Sequence, residues 1–164
     1  MYQSIEGFLK SWKYEGDTTQ KVLDALTDDS LSQAVIEDHW TLGEIAWHIV
    51  TTIPLITKNT GLQIEEQPKA DSTPTSAQFI ADSYRKMNDS FIKAVKTQWR
   101  DEDLKTINDF FGHPMPNAVF LATVANHQNH HRGQMSVLMR QAGLKVPSIY
   151  GPTKEDWEAA KTNA

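Results

Sequence analysis

The stretch Asn126–Met135, NHQNHHRGQM, packs three of the chain's six histidines into five positions. Its reading decides both the architecture and the chemistry. Together with its flanks it continues a helical apolar repeat from about Asn117 to Gln141, with Gly143 placed to end the helix. With His131 as origin and about 100° per residue, Phe120, Val124, Met135 and Leu138 all fall within about 40° of it. His127 also lies about 40° away, inside an apolar stripe about 100° wide, whereas His130 lies about 100° off, at the margin or beyond it. The inward pair is therefore His127 and His131, spaced i, i+4. Two imidazoles one turn apart can chelate a single ion, and a third ligand would leave positions open for water or substrate.

A search outward for that third ligand leads to a second helix. Thr41 followed by Glu44 is a capping-box pattern, with Trp40 placed as a hydrophobic staple, and the apolar face continues through Ile45, Ile49, Thr52, Leu55 and Ile56. His48 falls centrally on this stripe. His39 precedes the helix and His113 lies in the connection FFGHPMP, so both are poorer candidates. A lone histidine on an apolar face is more often a hydrogen-bonded core residue than a ligand. A pair plus a third inward histidine leaves the two readings, metal site and satisfied core, evenly matched on physics alone.

The remaining chain supplies two further helices. The first spans about Tyr2 to Leu26, with a weak middle, YEGDTT, where a bend near Gly16 is expected. The third is capped by Ser76 and presents Phe79, Ile80, Tyr84, Met87, Phe91, Ala94 and Val95. Pro54 should kink the second helix. Residues 61–74, GLQIEEQPKADSTP, read as a long crossover between helices 2 and 3, and the connection between helices 1 and 2 reads as short. Residues 101–116 have no clear period and fit either an irregular connection or a short two-stranded excursion. Beyond Gly143, KVPSIYGP is extended and a short helical tail starts at Lys154. The expected fold is all-α, a four-helix bundle with a long crossover between helices 2 and 3, in a single domain over residues 1–164.

Composition narrows the function. The formal net charge is −5 with no basic block, which argues against nucleic acid as a partner. No apolar run approaches the roughly 18 residues of a membrane span and the N-terminus lacks a signal-peptide core, so a cytoplasmic protein without a membrane partner is expected. There is no cysteine, which removes disulfides, thiolate ligands and a cysteine nucleophile. No zincin H-E-x-x-H, di-iron Glu-x-x-His, G-x-S-x-G, P-loop or dinucleotide motif occurs.

HWTLGEIAWHI (residues 39–49), HQNHHRGQMSVLMRQAG (residues 127–143) and VPSIYGP (residues 146–152) together resemble the DinB-like superfamily, also called the DinB/YfiT group. The likeness runs over nearly the whole chain, and the H-x-x-x-H-R-G-Q helix is its specific part. Position by position, the family's metal histidines fall on His48, His127 and His131. The resemblance implies a four-helix bundle, often a homodimer, binding a divalent metal such as zinc or nickel. Relatives include transferases and isomerases that use low-molecular-weight thiols. The reading that follows is a metal-dependent transferase, a thiol S-transferase that joins an external thiol to a small electrophile. The alternatives are a hydrolase using metal-bound hydroxide, a non-catalytic metal-binding stress-response protein, and a bundle that binds no metal.

Other residues carry narrower expectations. Glu44 could serve as a base beside the ion, although its cap role explains it at least as well. Arg132 should form a surface salt bridge or meet an anionic substrate, with the surface role favoured. Gly133 should allow close helix packing, and Gln134 should bond to nearby backbone. Trp12, Trp47, Tyr84 and Phe91 should pack in the core or a dimer interface.

Overall fold

The structure is a computed structural model that describes residues 1–162. Four long helices build it: α1 (Ile5–Asp24), α2 (Leu42–Thr57), α3 (Ala77–Gln98) and α4 (Asn117–Gln141). A hairpin of β1 (Ile107–Phe110) and β2 (His113–Pro116) precedes α4, and a short α5 (Lys154–Thr162) follows it. α1 packs on α3 and α4, and α2 packs on the same two helices, so α1 and α2 stand across the core from each other. One continuous apolar core joins all four. The fold is thus mainly helical with a small sheet, and the all-α expectation omits the hairpin.

Three of the four long helices, α1, α2 and α3, begin where a side chain can satisfy their free amides. Ser4 caps α1 through the Gly7 amide at 3.0 Å, and Ser76 caps α3 through the Phe79 amide at 3.3 Å. At α2 the capping box is complete: the Glu44 amide donates to Thr41 Oγ1 (3.2 Å), and the Thr41 amide donates to Glu44 Oε2 (2.7 Å). α4 ends in the expected glycine turn. Gly143 has φ 76°, its amide reaches the Arg140 carbonyl, and the Leu144 amide reaches that of Met139 at 2.8 Å.

Several expectations need correction. α1 runs unbroken through Gly16, which is there for contact. A Cβ at that position would stand 2.9 Å from the Asn88 side chain of α3. The same Asn88 accepts the indole N–H of Trp12 at 2.8 Å, and Trp12 packs edge-on against Phe91. The first connection is not short. It occupies residues 25–41, including a 3₁₀ turn at Asp28–Ser32, and rivals the crossover of residues 58–76 in length. Asp28 then accepts the Ala77 amide at 2.7 Å, tying the two connections together.

Residues 101–116 take the two-stranded alternative, after a 3₁₀ turn at Asp101–Lys105. Phe110 pairs with His113 around a two-residue turn in which Phe111 and Gly112 both have positive φ, 50° and 86°, the conformation that suits a tight hairpin. The four aromatic residues Trp12, Trp47, Tyr84 and Phe91 are all buried. Phe79 is not; it is 54% exposed, packed against the rim of Trp47. α2 continues through Pro54 to Thr57.

Candidate metal centre

The core stripe of α2 runs through Ile45, Ala46, Ile49, Ile53 and Ile56. His48 sits at the edge of that stripe, half-buried, not at its centre, and Leu55 beyond it is mostly exposed. This displacement turns His48 toward the seam with α4. There His48 Nε2 stands 3.2 Å from His127 Nε2, which in turn is 3.1 Å from His131 Nε2. A single ligand atom from each of the three lies within 4.8 Å of the others. His39, His113 and His130 are exposed and stand outside the group.

The far nitrogens explain this convergence. Gln134 Oε1 is 2.7 Å from His131 Nδ1, and a carbonyl oxygen can only accept, so Nδ1 carries the hydrogen and Nε2 a lone pair. Thr52 donates its hydroxyl to the His48 carbonyl at 2.7 Å, which leaves its oxygen to accept from His127 Nδ1 at 3.4 Å. Two Nε2 lone pairs therefore face each other across 3.1 Å, an arrangement that repels unless a cation lies between. Three nitrogens about 2.0–2.1 Å from a tetrahedral zinc would stand about 3.3 Å apart, close to the two spacings that His127 makes with His48 and His131. The donor set fits a borderline divalent ion such as zinc or nickel.

Protons are poor occupants. Burial, reinforced by the neighbouring imidazoles, pushes His127 down to about 4. Burial likewise lowers His48, with His131 adding to it. Burial lowers His131 too, against the opposing pull of its Gln134 bond. The three rings thus stay neutral at ordinary pH, the form in which imidazole ligates metal.

Trp40, just before the cap of α2, reaches the histidines. It is 52% exposed, with its ring edge-on to His48 at 4.8 Å and stacked on His131 at 6.1 Å. With Trp47 it walls a cleft of about 230 Å³ that has His48, Thr51 and Glu44 within it and Ala70 and Thr73 of the crossover at its rim. The Trp47 indole N–H is bonded to the Lys69 carbonyl at 3.0 Å, which straps the crossover onto α2.

Arg132 corrects its expectation outright. It is 1% exposed and belongs to neither the surface nor the cleft. It reaches across to α1, donating to the Glu15 carboxylate, to the Glu15 carbonyl and Thr19 Oγ1 (2.8 Å each), and to Asn129 and the Tyr150 hydroxyl. Gly133 is corrected as well: a Cβ there would meet nothing within 4 Å. Gln134 bonds a ligand-type imidazole, not backbone. Sequence spacing held a signal for this, since Gln134 lies at i+3 from His131, within reach along a helix, whereas the contact of Thr52 with His127 spans 75 positions and left none.

Fold and centre together describe a mainly helical protein whose two facing helices bring three histidines to one point. The sequence profile of the DinB family matches residues 1–163, and the chain belongs to the DinB family. The protein YrdA of Bacillus subtilis (strain 168) is 54% identical over 157 residues, which is 96% of this chain and 94% of YrdA. The crystal structure of a DinB-like protein from Bacillus cereus superposes with a TM-score of 0.89 at 63% identity, covering 92% of this chain and 100% of that one. A DinB-like protein of Bacillus subtilis, YjoA, shares the fold at 19% identity, with a TM-score of 0.68 over 90% of this chain and 99% of its own. Among the described residues no helix is long and apolar enough to cross a membrane.

Proposed function

We propose that this chain is a metal-dependent transferase that joins a low-molecular-weight thiol to a small electrophile. It works from a DinB/YfiT-type four-helix bundle in which His48, His127 and His131 hold zinc or nickel. The observation that carries this reading is the set of three convergent Nε2 atoms. Among the described residues no fourth histidine or carboxylate joins them. Three ligands with open positions are the arrangement of a catalytic site, whereas a structural site closes with a fourth. A divalent ion bound there supplies positive charge that makes a coordinated thiol or water give up its proton more readily.

The chain's own residues do the positioning. Gln134 and Thr52 hold the Nδ1 hydrogens and so keep the Nε2 lone pairs aimed inward. Trp40 and Trp47 shield one side of the centre from water. Glu44 places a carboxylate in the cleft, with one oxygen committed to the helix cap. With no cysteine in the chain, the attacking sulfur has to arrive with the substrate. A pair of copies forming a homodimer fits the same reading.

The test begins with metal content by elemental mass spectrometry of protein purified without chelators, beside a His127→Ala, His131→Ala double variant. About one divalent ion per chain, absent from the variant, is expected. No ion even after adding zinc or nickel overturns the proposal. Loaded protein is then offered thiols with epoxides or alkyl halides, and in parallel esters and amides. Thiol consumption supports the transferase, and hydrolysis without thiol replaces it with the hydrolase.

A further inference from the structure

The cleft beside the histidines contains one charged side chain, and it is acidic. Glu44 joins none of the ion pairs among the described residues. Arg132, adjacent in sequence to His131, is turned toward α1 and consumed by Glu15. The depression on the other side of Trp47 is mixed in sign, with Glu66 and Asp71 against Lys69 and Lys86. The other prominent walls of the cleft are indoles. Trp40 leaves about half its surface open and offers a ring face, whereas Trp47 is 7% exposed, with its N–H committed to backbone, and adds only an apolar margin. A carboxylate flanked by indole rings attracts an organic cation and repels an anion.

Resting on the transferase reading above, we infer that this cleft selects substrates bearing an ammonium group over those bearing a carboxylate. Glu44 supplies the charge, and Trp40 supplies the ring face. Glu44 lies four residues before His48, about 6 Å along the helix, so a molecule touching both needs only a short spacer between its cationic and reacting ends. An aminothiol with two carbons between nitrogen and sulfur has suitable length. The expectation that Arg132 receives an anionic group is thereby replaced by the opposite charge preference at a different residue.

Three thiols of similar size separate the possibilities: cysteamine, 2-mercaptoethanol and 3-mercaptopropionate, titrated calorimetrically into zinc-loaded protein at fixed ionic strength. Cysteamine should bind about ten-fold more tightly than 3-mercaptopropionate, about 1.4 kcal/mol. In Glu44→Gln the difference should shrink to about two-fold, because glutamine still completes the capping box and removes only the charge. Equal or tighter binding of 3-mercaptopropionate, or a preference unchanged in Glu44→Gln, overturns the inference. A zinc-free arm keeps this independent of the transferase reading. Propylammonium, but not propionate, should shift the Trp40 indole N–H resonance, assigned through Trp40→Phe, and Glu44→Gln should abolish that shift. If no thiol binds loaded protein while the propylammonium shift appears, the transferase falls and the cation cleft stands. If propionate shifts Trp40 as strongly as propylammonium, the cleft has no such preference.

Discussion

Within two turns of α4, two sets of polar side chains enter the interior and meet opposite fates. On the face toward α1, Arg132 and Gln128 find partners from elsewhere in the chain: Glu15, Thr19, Tyr84 and Tyr150. On the face toward α2, His127 and His131 find their outer nitrogens satisfied and their inner ones aimed at one another. The first set draws its partners from the protein, leaving only Arg132 Nε and Gln128 Nε2 unpaired; the second turns its inner nitrogens toward a point that something added could fill. Buried polar groups of the first kind specify the fold, and those of the second kind carry chemistry.

The largest effect should come from the α1 face. Arg132→Ala leaves the Glu15 carboxylate largely buried without its partner and should cost about 3–5 kcal/mol in urea unfolding. Zinc stoichiometry in the protein that remains folded should stay unchanged. Loss of the metal at equal stability would show that the two faces are one unit.

A smaller effect is expected from Gln134→Ala on the α2 face. Releasing the His131 Nδ1 hydrogen should weaken zinc binding about 10–100-fold, measured by competition with a chromophoric chelator, with little change in unfolding free energy. Gln134→Glu should restore or exceed the native affinity, since a carboxylate accepts the same bond more strongly.

The smallest effect concerns protons. His127 titrates near 4 in the folded chain, against an ordinary 6.5, and His48 and His131 are lowered as well. The unfolded chain therefore binds more protons between those values. Stability of zinc-free protein should be full above about pH 6.5 and decline as pH falls toward 4. Because His127 alone is lowered far, the expected loss is modest: a melting midpoint roughly 2–4 °C lower at pH 5 than at pH 7.5. The His127→Ala, His131→Ala variant should show a shallower decline, and an identical decline would assign the effect to other groups.

The helices and the histidine trio were legible because both rest on angular periodicity, which any amphipathic helix displays. Capping residues Ser76 and Thr41 and the terminal Gly143 were legible for a similar reason, since their partners lie within four residues. What stayed hidden depends on groups distant in sequence. Arg132 looks like a surface cation until Glu15, 117 positions away, is brought beside it. Gly16 reads as a helix breaker until Asn88 is seen pressing on it. Trp40 occupies the staple position, and only the packing of α2 on α4 shows its ring lying over His48 and His131. The hairpin was ambiguous because its strands are four residues each and the second carries two prolines, with turn residues Phe111 and Gly112 in place of the usual Asn-Gly.

Tyr150 gives the buried arginine a consequence for biosynthesis. Its hydroxyl donates to Glu15 at 2.7 Å, and Tyr14 donates to the neighbouring Ile149 carbonyl at 2.6 Å. As the chain leaves the ribosome, α1 emerges first with an acidic side chain whose counterpart has not been made. Arg132 follows only with α4, and the tyrosine clasp closes 135 positions after Glu15. A nascent chain stopped before residue 150 would hold its four helices without that clasp. The finished interior would then wait for residue 150, and until that residue is made a protease would find the seam between α1 and α4 unclasped.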